Sequence, residues 1–168
     1  MPTPGYMTVT GSTQGDMTAG GMSADSVGTL SKSGQEDTAQ ILEFELGVQT
    51  PTDPASGQPT GNRIHTGMRV VKYIDKASPM LLQAIATGEQ LSKVEVQLYR
   101  TASAGGQEHY YTVTLEEASL VKCRPYFPNA LDEDSDSYAH MEELLFMYKK
   151  ITVTHEKASS SSTDTWDE

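Results

Sequence analysis

The chain has 168 residues, of which 36% are hydrophobic, and its 23 acidic against 12 basic side chains give a formal net charge of −11. That length supports one domain with a real core and is short for two; the negative charge repels phosphate backbones, so no nucleic-acid partner is expected. No apolar run approaches the roughly 18 residues of a membrane span, and the stretch "MPTPGYMTVTGSTQG" lacks the charged and hydrophobic regions of a secretory signal, so the expectation is folding in the cytoplasm, no membrane insertion, and any export by another route.

In chain order, "YMTVT" at 6–10 alternates in character and ends at Gly11, a short first strand. Residues 11–38 are rich in Gly, Ser, Thr and Asp, with room for one short polar strand around 27–31. In "ILEFELGV", Leu42, Phe44, Leu46 and Val48 fall on one side and Ile41, Glu43 and Glu45 on the other, which reads as a half-buried strand. "QTPTDPASGQPTGNR" places three prolines and two glycines in fifteen residues, so it reads as a long irregular loop. "IHTGMRVVKYI" is a further strand.

A helix is expected next, at about residues 79–87: Ser78 as cap, Pro79 at the first helical position and Gly88 as left-handed stop. So short a helix is unstable alone and must dock, with Leu81, Leu82, Ile85 and Ala86 as the docking face and Gln83 and Thr87 pointing elsewhere. "KVEVQLYRT" and "EHYYTVTLE" around "ASAGGQ" give the strongest hairpin signal in the chain. "ASLVKC" reads as a separate strand, "RPYFPNALDEDSD" as a loop, "ELLFMYKKITVTHE" as one long strand with a bulge or bend, and 158–168 as a flexible Ser-rich acidic tail after a domain spanning 1–157. Six to eight strands and one helix point to a β-barrel or sandwich.

Candidates for chemistry are thin. Asp132, Asp134, Asp136 and Glu143 match positions 1, 3, 5 and 12 of a calcium loop, but Ser137 stands where the sharp turn needs glycine and no amphipathic helices flank it, so a solvated acidic loop is the better reading. His65, His109, His140 and His155 are scattered without ligand spacing and read as surface or interface histidines. Cys123, the single cysteine, excludes an internal disulfide and reads as a buried small hydrophobe. No carboxylate sits in a recognisably apolar setting that would raise its pKa.

Together the segments "TQGDMTAG", "SADSVG", "TPTDPASGQPTGNRIHTGMRV", "KYIDKASPMLLQAIATGE", "YRTASAGGQEHYYTVTLEEA" and "YKKITVTH" resemble, in that order, the Hcp family, the haemolysin-coregulated tube protein of bacterial type VI secretion systems. The resemblance spans about residues 4–155; the proline-rich loop and the helix start carry most of its specificity. It implies a small mainly β fold, a β-barrel of two packed antiparallel sheets with one short α-helix on its side. It also implies hexameric rings with a wide channel, stacked into an inner tube that a contractile sheath expels behind a spike. The protein is then itself secreted, small effectors can ride in the ring, and neither an active site nor a cofactor is expected.

Within that frame, the loop stiffened by prolines is expected to touch an adjacent subunit or ring through Thr50, Pro51, Asp53, Pro54, Gln58, Pro59 and Arg63. Ser31, Ser33, Glu43 and Glu45 are the candidates for lining the lumen. The competing readings are a tail-tube component of a phage or related contractile injection machine, a free-standing barrel that captures a ligand or calcium, and a small hydrolase with a dispersed site.

Overall fold

Alternating sequence becomes sheet almost throughout the computed structural model, which describes residues 3–136 and 138–166. Among the described residues the strands are β1 (Gly5–Gly11), β2 (Gly15–Asp16), β3 (Ala39–Gln49), β4 (Ile64–Tyr73), β5 (Gln90–Thr101), β6 (Gln107–Tyr126), β7 (Met141–Met147), β8 (Lys150–His155) and β9 (Ser160–Thr165), with a single-turn α1 (Ala24–Val27) and the longer α2 (Ser78–Thr87). All the pairings are antiparallel, and six strands close on themselves: β1 pairs β3, β3 pairs β4, β4 pairs β7, β7 pairs β6, β6 pairs β5, and β5 returns to β1. The result is a barrel-like ring of strands. The long β6 makes it possible, because its second half pairs with β7 while its first half also carries β8 and, through β8, β9.

The interior of this ring follows the two-residue period. Met7, Val96, Val113 and Val153 form one cross-strand row, and Val9, Val94, Leu115 and Ile151 the next. On the other side Met68 and Val70 face Phe146 and Leu144. All of these but the half-buried Val153 are buried, so each row contributes roughly 25 cal/mol per Å² of apolar area removed from water.

Several elements differ from the sequence reading, each for a local reason. No strand forms at 27–31: α1 and a 3-10 turn (Gly28–Leu30) stand there. The Ser23 and Ser26 hydroxyls donate to the Gly20 and Gly21 carbonyls at 2.7 and 2.6 Å and favour the compact backbone. In β3 the register shifts between Ile41 and Glu43 and again between Gly47 and Val48, so Ile41 is buried, Phe44 and Leu46 are half-buried, and Leu42 and Val48 are exposed. One bulge moves every later side chain to the other face.

"ASLVKC" is not a separate strand; β6 runs through it, with Glu117 at φ 49° and a register shift between Leu120 and Lys122 taking up the twist. The segment read as one long strand breaks at Tyr148 and Lys149 into β7 and β8. The expected flexible tail is corrected as well: Ser160–Thr165 forms β9, paired residue for residue with β8 from His155↔Ser160 to Lys150↔Thr165.

Helix α2 starts within a residue of its expected position and ends at Gly88 in the left-handed conformation, φ 68°. Its inward face is different. Ala77, Leu81 and Ala84 are buried and Met80 and Ile85 half-buried, whereas Leu82 is 56% exposed and Ala86 lies outward. The buried set still has helical spacing, but it is phased on two alanines whose small side chains let the helix approach β6 closely. Ser78 is not the cap either: Ala77 occupies that position without a side-chain bond, and the Ser78 hydroxyl is engaged beneath the helix.

Candidate assembly site

Where β3 and β4 pass beyond the barrel they continue as a two-stranded ribbon, with Gly47 opposite Gly67 and Gln49 opposite Ile64, and residues 50–63 form its tip. The tip is ordered by its own backbone. Thr52 bridges Pro59, the Thr60 N–H donates to the Pro51 carbonyl at 2.8 Å, and the Asp53 N–H donates to the Gln58 carbonyl at 2.8 Å. The Asp53 carboxylate accepts from the Ala55 N–H at 3.1 Å and the Ser56 hydroxyl at 2.8 Å, bonds that hold its pKa below the usual carboxylate value. The sequence reading expects an irregular loop stiffened by its prolines; the structure gives an internally hydrogen-bonded arm with Thr50, Pro54, Gln58 and Pro59 exposed and Pro51 and Asp53 half-buried.

Arg63 belongs to the arm's base, not its tip. Its guanidinium grips Asp164 of β9 at 2.6 and 2.7 Å and donates to the Thr165 carbonyl at 2.7 Å. His65, expected to be a surface or interface histidine, is 4% exposed: its ring nitrogens meet Tyr148 Oη at 2.8 Å and Asp164 Oδ2 at 2.7 Å, and the Trp166 ring lies 5.0 Å from its own. Held mainly by Arg63 and then His65, the Asp164 carboxyl is lowered to about 2.

The lumen candidates do not share one element. Ser31 and Ser33 are exposed on the segment before β3, which Gln35 ties to the Tyr99 hydroxyl at 3.2 Å. Glu43 and Glu45 are exposed on β3, and Glu43 pairs with Arg69 at 3.0 Å. Arg69, Lys122 and Arg124 in turn converge on Glu143, at 2.9, 2.5 and 3.3 Å, and lower its carboxyl to about 2, with Lys122 the largest cause. Glu143 therefore does not face the 132–136 loop. That loop is an exposed 3-10 turn capped by Asp132; Ser137 lies outside the described residues, and among those described no cluster of His, Cys, Asp and Glu gathers as a metal site.

Sequence reasoning missed a sealed polar network under α2. Lys72 lies on the inward face of β4 and reaches Asp75 at 2.9 Å, Glu142 at 3.1 Å, the Ser78 hydroxyl at 3.2 Å and the Tyr73 carbonyl at 3.1 Å. The Lys72 and Glu142 side chains are 0% exposed and that of Asp75 is 1%, so carboxylates do stand in a desolvated setting. Burial raises the Asp75 pKa against the pull of Lys72. Cys123 is half-buried and donates to Glu142 at 3.0 Å; burial, then that bond, pushes its thiol up to about 12. The one available signal was parity, since Lys72 is two residues on from Val70 on an inward-facing strand side.

The family sequence model described as "Type VI secretion system effector, Hcp" matches residues 6–155. The chain belongs to the Hcp family. It is 48% identical over 166 residues to the "Major exported protein" of Pseudomonas aeruginosa, covering 99% of this chain and 96% of that one. Among solved structures, one described as Hcp protein matches with a TM-score of 0.94 at 34% identity over 99% of each chain. The secreted protein Hcp3 from Pseudomonas aeruginosa matches at 0.84, with 41% identity over 98% of each chain. As an Hcp protein the chain is a secreted tube subunit of a type VI secretion system, a structural role for which its mainly β, barrel-like fold is suited.

Proposed function

We propose that the protein works by self-assembly alone, as a hexameric ring that stacks into the inner tube of the secretion machine, with the contractile sheath and the spike as partners and no catalysis of its own. The observation that carries this reading is the arm: a stiff, solvent-facing excursion at 50–62, internally hydrogen-bonded and rich in proline, which nothing in an isolated subunit requires. A ring closes through heterologous contacts and stacking repeats a second such contact without closure, so both need ordered, exposed surfaces. Thr50, Pro51, Asp53, Pro54, Gln58 and Pro59 are the residues for the contact with the adjacent subunit or ring, and rigidity limits the entropy that contact costs. Ser31, Ser33, Glu43 and Glu45, exposed and polar, suit a lumen through which small effector proteins pass without sticking.

Export then proceeds from the bacterial cytoplasm through the machine itself. Light scattering with negative-stain imaging tests the assembly: six-membered rings with a central hole are expected, and a monomer at every concentration overturns the reading. Limited proteolysis separates the arm's role, with cutting at 50–62 slowed in the assembled protein; equal rates in assembled and isolated subunits remove the arm from the contact.

A further inference from the structure

The ribbon that carries the arm loses the support of the barrel before the arm begins. β4 pairs with β7 only from Met68 onward, so Ile64–Gly67 has β3 as its strand partner and, among the described residues, nothing in the ladder on its other side. Gly47 and Gly67 face each other where the ribbon leaves the ring, and the β3 register shifts immediately after Gly47. Gly67, at φ 91°, is packed so closely that a Cβ there would lie 2.7 Å from Met147 Sδ and 2.9 Å from the Phe146 carbonyl oxygen. A two-stranded ribbon beyond a glycine pair has little intrinsic rigidity.

The missing support comes from the other end of the chain. β9 brings Asp164 under both Arg63 and His65, the Thr165 carbonyl takes a further bond from Arg63, and Trp166 lies over the His65 ring and edge-on to Tyr148 at 6.2 Å. These contacts bridge about a hundred residues of sequence and reach the ribbon's base through the Arg63 and His65 side chains, not through a strand ladder. They add nothing to the pairing of the six-stranded ring, since β9 pairs with β8 and β8 in turn with β6.

We propose that Asp164 and Trp166 are positioning residues for assembly: the C-terminal strand clasps the base of the arm, fixes the direction in which residues 50–62 leave the barrel, and so sets the contact made with the next ring. This rests on the reading of the arm as an assembly contact. A clasp that holds a hinge from outside the barrel can be released without unfolding the barrel, because local openings are governed by their own contacts.

The test compares Asp164→Asn and Trp166→Ala with the conservative Asp164→Glu and Trp166→Phe, and with an arm variant, Asp53→Ala. Amide hydrogen exchange across 48–66 and the yield of stacked tubes against single rings by negative-stain imaging are read in parallel. The disruptive clasp variants are expected to exchange about tenfold faster in the ribbon, to form rings, and to stack poorly, with the conservative variants closer to the original protein. Unchanged exchange overturns the clasp, and so does faster exchange with normal stacking. Loss of stacking in Asp53→Ala but not in the clasp variants overturns the clasp and leaves the arm's role standing; normal stacking in all variants overturns both. Loss of rings together with stacks in both disruptive variants shows that β9 is part of the ring's own stability and likewise overturns the proposal.

Discussion

The two ends of β4 carry ion clusters of opposite character. At its C-terminal end Lys72 is sealed with Asp75 and Glu142 beneath α2, all three side chains at 0–1% exposure. Just before its N-terminal end Arg63 meets Asp164 at the rim, with side chains 31% and 34% exposed. Both pairs have good geometry, yet the physics differs. Inside, the cost of taking three charges out of water is met only by their mutual contacts, so losing one member strands the others. At the rim, water and salt screen the attraction, and the pair sets geometry more than it adds stability. A lysine in a strand core and an arginine beside a hinge are thus both paired cations, but only the first is a folding determinant.

The sharpest break of that comparison is Lys72→Met. With two buried carboxylates left without their cation, unfolding in urea should show a loss of about 3–5 kcal/mol. A loss below about 1 kcal/mol would mean the carboxylates are already neutral and the network is a hydrogen-bonded cluster, not an ionic one. Asp164→Asn should by contrast lower the urea midpoint at neutral pH by much less than Lys72→Met, because water and salt screen part of the rim pair's attraction. Next in size is the helix that roofs the buried end. Leu81→Ala removes a fully buried side chain and should cost about 3 kcal/mol, while Leu82→Ala, one residue on, should stay within about 0.5 kcal/mol. Equal losses at the two positions would show that α2 is phased differently on β6.

Acid distinguishes Asp164 and Glu143 from Asp75 by sign. Asp164 and Glu143, held at about 2 against ordinary values of 3.8 and 4.5, bind protons more weakly folded than unfolded. Their contribution is complete above the ordinary values and is lost as pH falls through about 2. Asp75 is shifted upward, so its carboxyl binds a proton more readily in the folded protein and its contribution declines as pH rises through the folded value. Urea midpoints measured from pH 2 to 6 should therefore fall steeply with acid in the original protein and less steeply in Asp164→Asn; parallel curves would show that the rim pair is fully screened.

Much of this was legible in sequence, and what was not has a common cause. The β5–β6 hairpin was written in its alternation and in Gly105 and Gly106, both at positive φ, and α2 in Pro79 and Gly88. The docking phase of α2 was not, because Leu82 and Leu81 are equally apolar and only the closeness of β6 chooses between them. β3 hid its bulges, since alternation read in one phase cannot show an inserted residue. β9 was invisible for the opposite reason: "SSSTDT" has no apolar side, and a backbone ladder with Asp164 holds it. The arm was found by its prolines, but its clasp joins residues a hundred positions apart, a distance at which single-sequence pattern carries no signal.

Cys123 offers the smallest but most local test of how separate the two ends are. Its thiol, raised to about 12 and bonded to Glu142, reports on the buried network. Because the thiolate is the nucleophile, alkylation at pH 8 should run at least about tenfold slower than for a free thiol. Lys72→Met should change that rate by loosening the shell around Glu142, whereas Asp164→Asn, acting on the far end of β4, should leave it the same within about twofold. If releasing the clasp also exposes Cys123, strand β4 transmits motion from the arm to the base of α2, and the two clusters are parts of one cooperative unit, not an anchor at one end and a guide at the other.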